Sequence, residues 1–139
     1  MKQFVLVATM ACAIVSGEAM AACSGNSLSV AQLNTLLTGN TVCSPSSAPF
    51  NWQELHQAGG ALIDYKRGPG HAVDPSETVG SWAVAGNNAG NNAKVTHNYG
   101  SGGSYTYTVY GSGVVNTPHS FCGSGPEIVT RIKSGGGAC

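Results

Sequence analysis

The groups in this chain best suited to acid–base or metal chemistry are four histidines, His56, His71, His97 and His119, and six acids. No two of these histidines stand at i, i+2 or i, i+4, so no single strand or helix presents a metal pair. The sequence predicts no metal site and no cofactor. Glu54 and Asp64 flank a glycine-containing turn. A two-residue loop at Ala58-Gly59 would pair Leu55 with Leu62 and Trp52 with Tyr65, which places the two carboxylates on opposite faces. That register removes a glycosidase-like acid pair. Ser124 in Gly123-Ser124-Gly125 lacks the nucleophile-elbow pattern. The run Tyr99-Gly100-Ser101-Gly102-Gly103 lacks the lysine and helix of a phosphate loop. No catalytic residues are predicted, and the expectation is a protein that is not an enzyme.

Aromatic residues form the more informative group. The same register puts Trp52, Glu54, His56, Ile63, Tyr65 and Arg67 on one face of a hairpin. Turned inward beside Trp82, Tyr105 and Tyr107, that face would wall a pocket, with Glu54 and Arg67 as polar anchors. The ligand-binding candidates are therefore Trp52, Glu54, Tyr65, Arg67, Trp82, Tyr105 and Tyr107. The plainer expectation is that a small barrel fills with these side chains, and Glu54 neutralises Arg67 at a rim.

One helix is marked. Ser29 is an N-cap, and Gln32 three residues on completes a capping box. Val30, Leu33 and Leu37 share a face, and Gly39-Asn40 ends the segment, so the helix is expected over Ser29–Thr38. The remainder reads as short strands: Trp52–Gln57, Gly60–Arg67, Val79–Ala85, Lys94–Tyr99, Ser104–Tyr110, His119–Cys122 and Glu127–Ile132, with strand-like Thr41-Val42-Cys43 before them. No helical pattern lies between these strands, which excludes parallel βαβ units. The predicted fold is mainly β: an antiparallel meander curled into a small up-and-down β-barrel that hides its edges, with one short N-terminal helix at a rim.

The triplet Gly80-Ser81-Trp82 at the start of a strand resembles the G-x-W of calycin-like barrels, a class that includes lipocalins, avidins and small periplasmic protease inhibitors. The resemblance implies a closed barrel and a secreted or periplasmic setting. It assigns no binding residue.

The chain has 139 residues, which suits one domain, and only 9% are charged. Six basic and six acidic residues give no net charge. That speaks against nucleic acid as a partner, because a phosphate-binding surface needs a basic excess. Residues 1–21 read as a signal peptide: Lys2, an apolar run from Phe4 to Val15 too short to span a bilayer, and the small-x-small site Ala19-Met20-Ala21. The domain is then 22–139, secreted or periplasmic and without a transmembrane segment. Met20-Ala21-Ala22-Cys23 loosely resembles a lipobox, so the alternative is a lipoprotein anchored through Cys23.

Four cysteines remain after cleavage: Cys23, Cys43, Cys122 and Cys139. An even number in an oxidising compartment predicts two disulfides. Three pairings are possible, and the one expected here is Cys43 with Cys122 and Cys23 with Cys139. The functional expectation is a non-enzymatic binding protein for an unknown small ligand. The alternative is a protein inhibitor or adhesion module acting through loops such as Gly86–Asn92 and Gly68–Glu77.

Overall fold

A computed structural model describes residues 22–65, 77–87 and 92–139. The expected signal peptide, Arg67, His71 and much of the two proposed interaction loops lie outside the described residues.

Among the described residues the chain forms a helix, α1 (Val30–Leu37), and eight strands. The strands are β1 (Thr41–Ser44), β2 (Trp52–His56), β3 (Ala61–Asp64), β4 (Glu77–Ala85), β5 (Lys94–Asn98), β6 (Ser104–Gly111), β7 (Pro118–Cys122) and β8 (Ile128–Lys133). Each pairs antiparallel with its chain neighbour, and β8 returns to β1, so the meander closes into a barrel. Closure satisfies both edge ladders that an open sheet would leave bare. The fold class read from the sequence is the one observed.

The helix forms where its cap predicts. The Ser29 side chain accepts from the Gln32 backbone, and the Gln32 side chain accepts from the Ser29 N–H. Leu28 N–H donates to Val109 on β6, and Gly39 N–H donates to His56 on β2. Those strands stand on opposite sides of an eight-stranded ring. The helix, roughly 12 Å long, therefore crosses one end as a plug. Its Leu33, Leu36 and Leu37 are buried with Leu28 against Val42, Leu62, Val95, Val109 and Ile132.

The hairpin register departs from expectation by one residue. Glu54 pairs with Asp64, Leu55 with Ile63 and His56 with Leu62. The loop has three residues, because Gln57 N–H donates to Ala61 while Gly59 and Gly60 both take positive φ. Gly60 is drawn out of the strand by its carbonyl, which accepts the Trp82 N–H at 2.7 Å. A one-residue slip turns every side chain of the second strand over. Ile63 and Tyr65 consequently point outward, and Leu62 and Asp64 point inward.

Gly80 of the G-x-W triplet has a steric role. A Cβ there would collide with the carbonyl of Asn98 on β5, so only glycine lets β4 lie against that strand. Trp82, two residues on, is buried near the plugged end, with its ring 5.1 Å from His56 and its indole N–H on the Gln57 carbonyl.

Two disulfides form, but not in the expected pairing: Cys23 joins Cys122, and Cys43 joins Cys139. Topology explains this. Strand β8 lies between β7 and β1, so Cys43 and Cys122 stand two strand spacings apart, at least about 9.5 Å. A disulfide reaches only about 7 Å between Cα atoms. The C-terminal tail instead lies over the outer face of β1 and β2, held by Thr41 on the carbonyls of Gly135 and Gly137, and by Gln53 on the Cys139 N–H. A sulfur held in the Cys23 bridge carries no thioether to a lipid, so that bridge and the anchored alternative exclude each other. Disulfides belong to oxidising compartments. Among the described residues no helix is long and apolar enough to cross a membrane.

Candidate functional site

The inner face of the barrel is built by period-two alternation, with β2 on one side and the paired strands β5 and β6 across from it. Strand β2 sends in Trp52, Glu54 and His56. Strand β5 sends in Val95 and His97, with Tyr99 just beyond it, and β6 contributes Tyr105, Tyr107 and Val109. His97 is the hub of this interior. Its ring meets Trp52 at 5.6 Å, His56 at 4.8 Å, Tyr99 at 6.3 Å, Tyr107 at 5.5 Å and Phe121 at 6.1 Å between centroids. Rings, not an open cup, fill the centre.

A polar chain runs through those rings. The Tyr99 hydroxyl stands 3.0 and 2.8 Å from the two carboxyl oxygens of Glu54, and 3.5 Å from His97 Nδ1. His97 Nε2 meets His56 Nε2 at 2.9 Å, and His56 Nδ1 lies 3.3 Å from the Glu54 carbonyl. Both imidazoles are fully buried and Glu54 is 4% exposed. Burial pushes the Glu54 carboxyl up to about 7, against hydrogen bonds from Trp52 and Tyr99 that favour its charged form, with the nearby Asp64 adding to the rise. Burial holds His97 down to about 4 and His56 well below its ordinary value, the latter also through His97 itself. Burial, reinforced by Glu54, raises the phenols of Tyr99 and Tyr107.

At the end opposite the helix, among the described residues, a pocket of about 640 Å³ lies between the start of β6 and the β7–β8 connection. Among the described residues its walls are Tyr105, Tyr107, Pro126 and Ile128, with Ser104, Thr106 and Ser124 beside them and no charged residue in the lining. Gly123 shapes it, since a Cβ there would come within 3.2 Å of the Tyr107 ring and 2.9 Å of the Thr106 carbonyl. Tyr105 is 49% exposed, and its hydroxyl donates to the Gly102 carbonyl, which holds the ring upright at the rim.

The expected site residues are thus divided. Tyr105 and Tyr107 line the rim pocket. Trp52 and Glu54 sit inside, against the polar chain. Trp82 packs near the plugged end, and Tyr65 stands on the outer wall beside Gly136 of the tail. Glu54 and Asp64, expected on opposite faces, are direct cross-strand partners on one face.

Of the two residues that matter most inside, His97 stands in the sequence only as one of four histidines that spacing does not pair, and Tyr99 is not among the expected site residues. The signal was the alternation Val95, His97, Tyr99, which marks a shared face. What it faces depends on barrel closure. Among the described residues no three His, Cys, Asp or Glu side chains come together as a metal site. The architecture is that of a small eight-stranded antiparallel barrel, consistent with a calycin-like fold. Comparison with protein-family models, with curated proteins and with solved structures returns no match.

Proposed function

We propose that this protein is a secreted or periplasmic, non-enzymatic barrel that binds a small uncharged ring compound, planar or sugar-like, at the rim opposite its helix. The observation that carries the reading is the pocket of about 640 Å³ walled by Tyr105 and Tyr107. Ligand sites commonly begin near 300 Å³, with apolar walls and a few fixed polar groups. Tyrosine faces stack on flat or sugar rings, and the lining residues Ser104 and Ser124 carry hydroxyls that can donate and accept. The described lining carries no charge to offset the desolvation of an ion, which disfavours charged ligands.

The test is a thermal-shift screen of neutral sugars and planar heterocycles against the mature, oxidised protein. A ligand present at 100 times its Kd adds about 2.7 kcal/mol of apparent stability. Tyr105→Ala should abolish that shift while leaving the unliganded melting temperature nearly unchanged, because the ring is half exposed. No shift from any neutral compound, with capture of one specific protein partner instead, would transfer the function to the inhibitor or adhesion reading. N-terminal sequencing of exported material should begin at Ala22.

A further inference from the structure

The polar chain closes on itself. It leaves the Glu54 carboxyl, passes through the Tyr99 hydroxyl to His97 Nδ1, crosses from His97 Nε2 to His56 Nε2, and returns from His56 Nδ1 to the Glu54 carbonyl. That makes four contacts between groups that each need one donor and one acceptor. Counting protons decides which ionisation state the geometry suits. With Glu54 protonated and both imidazoles neutral, four protons serve four contacts, all pointing the same way round. The carboxyl donates to Tyr99, Tyr99 to His97 Nδ1, His97 Nε2–H to His56 Nε2, and His56 Nδ1–H to the backbone carbonyl. With Glu54 ionised, three protons remain for four contacts, and one contact must hold two facing lone pairs. A buried polar group without a partner is costly.

We propose that the barrel interior is a proton-binding site, in which uptake of one proton by Glu54 completes a hydrogen-bonded circuit through Tyr99, His97 and His56, and its release reorders that circuit. On release the proton leaves the carboxyl for solvent, and the Tyr99 hydroxyl turns its hydrogen from His97 to the new carboxylate. His97 Nδ1 then either loses its donor or gains a proton from its own Nε2, with His56 shifting its hydrogen to Nε2. No imidazole changes its charge in either case.

Among the described residues the groups facing Glu54 are few. Strand β1 places apolar Val42 opposite it, and β3 places Asp64, which has contacts of its own and pairs with Glu77 on β4. From β2 itself come the Trp52 indole, which donates to the carboxyl, and His56. From across the barrel come His97, Tyr99 and Tyr107. Both the ring of Trp52 and that of Tyr107 rest against Phe121 of β7, which does not titrate. The circuit shares no residue with the lining of the rim pocket, although His97 packs on Tyr107 at 5.5 Å and Tyr99 on Tyr105 at 6.0 Å between centroids.

The experiment is NMR of the full oxidised protein labelled at glutamate side-chain carbons and histidine ring nitrogens, followed from pH 5 to 9. The Glu54 carboxyl carbon should titrate with a midpoint near 7. The His97 Nδ1 signal should move with the same midpoint, and the His97 and His56 rings should remain neutral throughout. In Glu54→Gln the side-chain amide can still donate to Tyr99, so His97 should show the low-pH pattern at every pH. In Tyr99→Phe, Glu54 should still titrate but His97 should no longer follow it. A Glu54 midpoint at the ordinary 4.5, or a His97 signal indifferent to Glu54 in the wild-type protein, overturns the proposal even if neither variant folds.

Discussion

His56 and His97 meet Nε2 to Nε2 at 2.9 Å, with neither ring reaching solvent. Such a contact can hold only one hydrogen. One ring donates and the other accepts, so each fixes the tautomer of its partner. Burial holds both rings neutral across physiological pH, so whichever ring donates, the contact keeps one donor and one acceptor.

Removing either ring should therefore cost more than its packing. His97→Ala opens a cavity at the hub and leaves His56 Nε2 without its partner, a loss of roughly 3–5 kcal/mol. His56→Ala should be similarly harmful, and the double variant should be milder than the two losses added, by at least about 1 kcal/mol. Urea unfolding of the four proteins measures the coupling; simple additivity would show that the rings do not depend on each other.

Stability should depend on pH through opposing groups. The folded Glu54 binds its proton up to about 7, whereas the unfolded one releases it near 4.5. Between those values the folded state holds more protons, so the Glu54 contribution falls as pH rises, by on the order of 3 kcal/mol. His97 acts the other way: with its folded value near 4 and an ordinary value of 6.5, its contribution is present above 6.5 and lost as pH drops towards 4. Glu54→Gln removes only the first effect. The variant should gain stability relative to wild type steadily from pH 4.5 to 7.5. Denaturant melts giving a pH-independent difference would contradict the assignment.

Trp82→Ala should lower stability by roughly 3–5 kcal/mol. The ring packs on His56 and its N–H ties β4 to Gln57 at the hairpin turn. An unchanged melting temperature would place the ring outside the core.

At Gly80 the smallest possible enlargement should be severe. Gly80→Ala drives a methyl into the Asn98 carbonyl and forces β4 away from β5, with an expected loss above about 2 kcal/mol. A well-folded variant with wild-type melting behaviour would mean that the strands part without cost.

Peptide mapping of unreduced protein should recover Cys23 linked to Cys122 and Cys43 linked to Cys139. These close loops of 99 and 96 residues in sequence separation. In the chain-entropy view each loop of that length is worth about 4–5 kcal/mol taken alone. Recovery of a Cys43–Cys122 peptide would be incompatible with β8 lying between those strands.

Local patterns in the sequence determined much of this protein. Ser29 and Gln32 specify a helix start through contacts three residues apart. Alternation along β5 and β6 specifies strands, and the absence of helices between strands specifies an antiparallel meander. The even count of cysteines after Ala21 specifies two bridges. Each of these rests on interactions within a few residues or on composition. The remainder depended on a single small shift and on closure. Whether Tyr65 or Asp64 faces inward turned on one residue in the Ala58–Gly60 loop, because side chains alternate with period two and a glycine can leave the ladder without steric penalty. Which cysteines meet turned on β8 being inserted between β7 and β1. The Glu54–Tyr99–His97–His56 circuit joins strands that are never neighbours in the sheet. Only the curvature that brings β8 back to β1 sets those strands face to face, and no spacing along the chain encodes that distance.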